Sequence, residues 1–248
     1  MEKTRGRRIL KRVLWSLAIV VVLAVGGVVA WSQIGVMAAE PEPLATVQEN
    51  PQITVTDADQ GIVLEPVDGE SDVGLVFIPG AKVDPWAYAA ILQGLAEDGV
   101  TVVITRPWLN LAFFDPRGLD AFTSAAPEVG VWAVGGHSLG GVRACQLAPD
   151  ADALVLFGSY CANDLSQSGL PVLSISGSED GLSTADKIAD ARDELPADAE
   201  MVEIDGASHA SFGDYGPQDG DGIPTISSEE MHAEVTRLVD DFLAPLAP

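Results

Sequence analysis

Val131-Trp-Ala-Val-Gly-Gly-His-Ser-Leu-Gly-Gly-Val142 runs an apolar, β-branched segment into Gly136-His137-Ser138-Leu139-Gly140 and on into a helix-compatible segment, Val142 to Ala148. Strand, tight turn and helix in that order are the setting that gives G-x-S-x-G its meaning. The turn must be so tight that the residues two before and two after the serine meet backbone to backbone, so both are glycine. It lifts the Ser138 hydroxyl out at the tip of a sheet. It also leaves the Leu139 amide at a helix N-terminus, where an oxyanion can be held. Without the flanking strand and helix, the same five letters would read as a glycine-rich loop with an incidental serine.

A serine hydroxyl is a weak nucleophile until a base removes its proton, and the chain offers three histidines. His137 sits inside the elbow and points away from its neighbour, which implies a structural role. His232 lies in a closing helix among Glu229, Glu230 and Glu234 and reads as a solvated surface residue. His209, in Asp205-Gly-Ala-Ser-His-Ala-Ser-Phe212, follows the last strand at the carboxyl edge that also carries the elbow, and is the expected base. The orienting acid should fall between Ser138 and His209. Asp180, in the turn Ser176-Gly-Ser-Glu-Asp-Gly181, has the best position, with a plain turn or cap residue as its competing reading. Glu179 and Asp164 are the fallbacks. The second oxyanion donor should be an amide in Pro79-Gly80-Ala81-Lys82, with Ala81 preferred. Lys82 is the alternative donor and a substrate-binding candidate. Trp108, Phe113, Tyr160 and Phe212, together with Trp86 and Phe114, could wall the site or belong to the core.

Around this constellation, buried-strand and helix patterns alternate. Gln52–Thr56 and Gly61–Glu65 read as a hairpin or edge pair, and Val73–Ile78 and Val100–Ile104 as buried strands. Asp84 and Pro85 open a helix that runs to about Asp98. Leu109–Phe114 is apolar but of no clear class. Short helix Leu119–Ala126, strands 131–134, 153–157, 172–175 and 201–204, and helices Thr184–Leu195 and Ser228–Leu243 follow, the last with Ser228 as its cap. The pattern specifies an α/β fold, a mostly parallel sheet with helices on both faces. Gly158–Gly169 is too short to build a lid with a core of its own.

The 248 residues carry 13 basic and 37 acidic side chains, a net charge of -24. Six of the basic ones lie in residues 1–12, where Glu2 is the single acid, so residues 13–248 hold seven basic against 36 acidic side chains. A body this acidic excludes nucleic acid as a partner and is repelled by anionic surfaces. Val13 to Ala30 is unbroken by charge, with Trp15 and Trp31 at its ends. About twenty such residues span a bilayer, and basic residues ahead of them place the amino terminus in the cytoplasm. The expected organisation is a basic cytoplasmic head (1–12), a transmembrane signal anchor (13–36), a stiff linker (37–51) and an extracytoplasmic catalytic domain (52–248) at the cell membrane. A cleaved signal peptide ending near Ala38-Ala39, with a secreted product, is the alternative. Cys145 and Cys161 could form a disulfide outside the cytoplasm, or remain two buried thiols.

Gly136-His-Ser-Leu-Gly-Gly141, Ser176–Gly181 and Gly206-Ala-Ser-His209, in this order and on these elements, resemble the α/β-hydrolase superfamily. Pro79–Tyr88, Leu109–Asp115 and Ser208–Gly216 are similar to bacterial membrane-anchored α/β hydrolases of the dienelactone-hydrolase-like branch. The resemblance covers about Gly61 to Leu243. It implies a Ser138–Asp180–His209 triad with Leu139 and Ala81 as oxyanion donors. True dienelactone hydrolases use a cysteine nucleophile, so Ser138 points to carboxylic-ester hydrolysis of a small-molecule or lipid-like ester. A peptidase or acyltransferase on the same triad, or a tethered binding domain without catalysis, are the alternatives. No cofactor is implied. Asp219-Gly-Asp-Gly222 resembles part of a calcium loop but lacks the bidentate glutamate, so no metal is expected.

Overall fold

The computed structural model describes residues 2–67 and 72–247; Met1 of the expected basic head and Pro248 of the expected catalytic domain lie outside the described residues, as do the side chains of 2–6 and 8–10. Helix α1 (Glu2–Gln33) projects from the body. Its apolar part, Lys11–Gln33, has 23 residues with none of the window buried, and is long and apolar enough to cross a membrane. At ~1.5 Å per residue it reaches about 35 Å, against a hydrocarbon core of about 30 Å. A signal sequence passes the same test.

The stretch after α1, expected as a stiff linker, packs onto the body and holds a helix. Met37 forms a bridge to Val83, and helix α2 (Pro41–Gln48) buries Val47. The prolines that suggest a stiff linker stand at the start of the helix, where a missing N–H costs nothing. Asn50 Nδ2 donates to Gln93 Oε1 at 3.0 Å, and Gln93 Nε2 donates to Thr46 Oγ1 at 3.3 Å. These bonds tie α2 to helix α3 (Ala89–Glu97).

One eight-stranded sheet organises the body: β1 (Ile53–Asp57), β2 (Gly61–Pro66), β3 (Val73–Ile78), β4 (Thr101–Thr105), β5 (Val131–His137), β6 (Ala153–Phe157), β7 (Val172–Gly177) and β8 (Glu200–Ile204). Their spatial order is β1-β2-β4-β3-β5-β6-β7-β8. The β1–β2 hairpin pairs antiparallel onto β4, and every pairing from β4 to β8 is parallel. Strands β3, β4 and β6 are buried along their full length, as continuous apolar runs covered on both faces must be. Alternate side chains feed two cores. Leu75, Phe77, Val102, Ile104 and Val155 pack under α2, α3 and α7 (Ser228–Leu243). Val76, Ile78, Val103, Val134 and Leu154 pack under α4 (Asp120–Thr123) and α5 (Leu139–Leu147). Helix α6 (Ala185–Asp190) packs against β7.

Leu109–Phe114 forms two 3-10 turns, with Leu109 and Asn110 at positive φ, and its Phe113 and Phe114 rings face outward. The cap of α7 is Ser227 rather than Ser228. Ser227 Oγ accepts the Glu230 N–H, and the Glu230 carboxylate accepts the Ser227 N–H, because a capping box requires the acid three residues after the cap. Cys145 on α5 and Cys161 just beyond β6 form a disulfide, with Cα atoms 5.6 Å apart. Between β6 and β7, residues 158–171 contain no helix or strand.

Candidate active site

Strand β5 delivers the chain into α5 through Ser138, whose φ of 53° and ψ of -122° lie in a region that costs a side-chain-bearing residue energy. The flanking glycines permit the turn. A Cβ on Gly136 would lie 2.5 Å from the Gly140 carbonyl carbon, and one on Gly140 would fall on the Ile78 carbonyl oxygen. The Ser138 N–H donates to Phe157 O at 3.1 Å, and Ser159 Oγ donates to Ser138 O at 2.7 Å. Ser138 Oγ itself has no hydrogen-bond partner among the described residues. The elbow is therefore braced by backbone while its hydroxyl stays uncommitted.

The amides around it are sorted by their partners. Gly80 N–H donates to Tyr88 Oη at 3.0 Å. Lys82 N–H donates to Asn110 O at 2.8 Å and Val83 N–H to Gly80 O at 3.4 Å. The Ala81 and Leu139 amides have no partner among the described residues, one on the loop after β3 and one at the N-terminus of α5.

His209 and Asp180 lie on loops after β8 and β7, at the carboxyl edge shared with Ser138. His209 Nδ1 and Asp180 Oδ2 are 2.8 Å apart, and both side chains are almost fully buried. Asp180 Oδ1 accepts the Leu182 and Ser183 amides at 2.8 and 2.6 Å. With Nδ1 directed at the carboxylate, Nε2 is the nitrogen left for chemistry. The alternatives to Asp180 point elsewhere: Glu179 is exposed, and exposed Asp164 accepts the Ser166 amide. Gly158 is pressed against the pair at φ 47°; a Cβ there would sit 3.0 Å from Asp180 Oδ2 and 3.2 Å from His209 Nδ1.

His137, inside the elbow, is fully buried with its ring centroid 4.4 Å from that of His209. Its Nδ1 is 2.9 Å from Tyr88 Oη, the same oxygen that accepts the Gly80 N–H. A consistent assignment has the tyrosine donating to Nδ1, which puts the His137 proton on Nε2. Burial, and next the adjacent His209 ring, push this imidazole well below its ordinary pKa, while an interaction with the His209 backbone opposes the shift. His137 is thus a neutral spacer linking elbow, Tyr88 and the 79–82 loop. His232 differs from the solvated residue expected: it is half-buried, with Nε2 3.1 Å from Asp214 Oδ1.

Phe212 is completely buried, stacked on Phe157 at 5.6 Å, so it presents no face to a ligand. Tyr160 is half-buried, and Trp108 and Phe113 are exposed. Lys82 Nζ lies 4.6 Å from the centroid of the Trp31 ring on α1, directed at the helix foot. Sequence reasoning missed Asp221, which accepts the Gly181 and His209 amides at 3.0 Å each. The only signal was an acidic residue between glycines in a loop too long for a tight turn.

A model of the alpha/beta hydrolase family matches residues 74–233. It identifies the family and not the dienelactone-hydrolase-like branch within it, and no curated protein matches the chain. The matched span runs from β3 into α7, enclosing the parallel strands, the strained serine turn and both loops that meet beside it; the chain belongs to the alpha/beta hydrolase family.

Proposed function

We propose that this protein is a membrane-tethered serine esterase. The observation that carries the reading is the buried His209–Asp180 hydrogen bond, set at the sheet edge that bears the strained Ser138 elbow. In the proposed reaction Ser138 Oγ attacks the ester carbonyl carbon as its proton passes to His209 Nε2. The negative oxygen of the tetrahedral intermediate takes the Ala81 and Leu139 amides. The carbon–oxygen bond to the alcohol then breaks, and the alcohol leaves with the proton from His209. Water repeats the sequence on the acyl-enzyme: its proton goes to His209, its oxygen to the acyl carbon. The carboxylic acid departs as Ser138 recovers its hydrogen. Asp180 holds the imidazole tautomer and stabilises the imidazolium without taking the proton. The Ser138-to-His209 hydrogen bond forms on substrate binding, as is common for catalytic hydrogen bonds.

On this reading α1 is an uncleaved anchor, with basic residues 2–12 on the cytoplasmic side and the body outside. The Cys145–Cys161 disulfide supports an oxidising compartment. The test is Ser138→Ala, assayed on p-nitrophenyl esters and by fluorophosphonate labelling. Both signals are expected to vanish, with turnover down by at least about a thousandfold. Turnover and labelling retained in the variant would remove Ser138 as nucleophile.

A further inference from the structure

The helix that can cross a membrane ends against the loops of the candidate site, through contacts that leave it little freedom. Ser32, in the last turn of α1, is completely buried, and its carbonyl accepts Asn110 Nδ2 at 3.2 Å. Asn110 O accepts the Lys82 N–H at 2.8 Å, next to the uncommitted Ala81 amide. Lys82 O in turn accepts the Met37 N–H, and Met37 O accepts the Asp84 N–H, each at 2.8 Å. Only residues 34–36 separate the end of α1 from Met37. At about 3.5 Å per residue, the four steps from Gln33 to Met37 keep the body within roughly 14 Å of the helix end. Lys82, Leu109 and Asn110, with φ of 57°, 57° and 56°, adopt the left-handed conformation at this join, and Ser138 is the one other non-glycine residue with positive φ among those described.

The surface changes character here. Outside α1, every exposed aromatic side chain among the described residues is on the 108–114 stretch that meets the end of α1: Trp108, Phe113 and Phe114, at 56, 57 and 49 % exposure; Ile34, just past the helix end, is 69 % exposed. Acidic charge is also sparse: Asp84, whose N–H bonds Met37, is half-buried, and its carboxylate accepts the Trp86 N–H at 3.0 Å. Residues 13–39 carry no charge at all, in a chain with 37 acidic side chains. Between Arg106 and Arg117 the single carboxylate, Asp115, is 6 % exposed and paired with Arg117 at 2.6 Å. Exposed aromatics on an apron of few charges beside a spanning helix match the composition of a membrane interface, where Trp is enriched at the headgroup level.

We infer that this join is seated on the lipid surface, with Trp108, Phe113 and Phe114 at the headgroup–acyl boundary. The site then takes acyl esters dissolved in the bilayer rather than free in water. The inference rests on the esterase reading for its substrate and on a membrane-spanning α1 for its geometry.

Two measurements on the full chain in phosphatidylcholine vesicles test it. Nitroxide is attached at Phe113→Cys and Phe114→Cys, with Val67→Cys as control, 52 % exposed at the opposite edge of the sheet. The native cysteines are bonded to each other, so the introduced thiol is the one that reacts. Oxygen, which dissolves in lipid, should dominate relaxation at 113 and 114, and a water-soluble nickel chelate at 67. Nickel dominance at all three overturns the inference, and shielding from both reagents at 113 and 114 overturns it in favour of a second copy of the chain. The second measurement is the ratio of turnover on a long-chain ester held in vesicles to turnover on a dispersed short-chain ester. The Trp108→Ser/Phe113→Ser/Phe114→Ser variant should lower that ratio about tenfold, equivalent to about 1.4 kcal/mol. Phe114→Ser alone serves if the triple variant does not fold. An unchanged ratio overturns the bilayer-substrate claim. Absence of all turnover and of fluorophosphonate labelling in the unsubstituted protein would instead remove the esterase reading and the substrate claim with it, while the nitroxide result decides the surface.

Discussion

Asp221 gathers four backbone donors on one carboxylate: Gly181, His209 and Gly222 at Oδ1 (3.0, 3.0 and 2.8 Å) and Ala210 at Oδ2 (2.8 Å). Gly181 follows Asp180, and His209 heads the other loop, so this one side chain sets the Asp180 and His209 turns against each other. Burial works against its charge, but the four amides outweigh burial and hold the carboxyl below its ordinary value. Its stabilisation is accordingly present above the ordinary carboxylate range and lost as pH falls. Asp221→Asn would turn an acceptor into an NH2 group facing an N–H donor. A hydrogen bond to a charged group is worth about 1.5–3 kcal/mol, so a loss of about that size is expected in a thermal or denaturant melt. On the esterase reading proposed above, turnover of a p-nitrophenyl ester should fall mainly in kcat, since the carboxylate acts through His209. An unchanged melt and kcat would count against this role. The pairing of His209 with Asp180 could be read from chain order and strand position alone. Asp221 could not, because its partners are backbone groups brought to it only by the fold.

Helices α3 and α7 lie over the same face of the sheet, and their carboxyl ends bring Asp98 and Asp240 together. Both positions are unfavourable for anions, since a helix C-terminus carries partial negative charge. Burial first, then a hydrogen bond to and the charge of Asp98, with Asp241 last, push the Asp240 carboxyl up to about 8. The folded chain therefore holds a proton that the unfolded chain releases near the ordinary value of about 4. The stabilisation is complete below about pH 4 and lost as pH rises through about 8. Asp240→Asn keeps a neutral partner for Asp98 at every pH. It should match the parent melting temperature at pH 4 and exceed it at pH 8.5. The pair is partly solvated, so the gain is discounted to about 1 kcal/mol, or roughly 2–4 °C; a gain equal at both pH values would refute the shared proton. Legibility at this scale follows the same physics. The fully buried strands and α7 are visible because their apolar periods report burial directly. The helix at 41–48 was hidden by prolines that fit its first turn. Leu109–Phe114 resisted classification because an apolar run normally signals burial, whereas two of its phenylalanines face outward.

Across the whole molecule the unusual quantity is charge, with 36 acidic against seven basic side chains after Arg12. The family-level fold survives this because most of the acids sit on the surface, Asp115, Asp180 and Asp214 being the buried ones, while the two cores stay apolar. The body's basic residues do little to neutralise it. Arg106, Arg117 and Arg237 pair with carboxylates. Lys82 lies over Trp31, Arg143 bonds Gln146 and a carbonyl, and Lys187 and Arg192 bond carbonyls. Most of the negative charge therefore faces its own kind across water, which destabilises the compact state. Raising ionic strength from about 0.01 M to 0.15 M shortens the Debye length from about 30 Å to about 8 Å and should relieve that repulsion. The melting temperature of the full chain in neutral detergent is expected to rise over that interval, and a flat or falling profile in calorimetry would show that the acids are spaced too far apart to repel. The shape of the rise also separates two causes. Screening is nearly complete once the Debye length is about 3 Å, near 1 M salt. Sodium chloride should therefore give its full effect by that point. A continued climb in sulfate alone would belong to salt exclusion from the protein surface, which strengthens apolar burial whatever the charge.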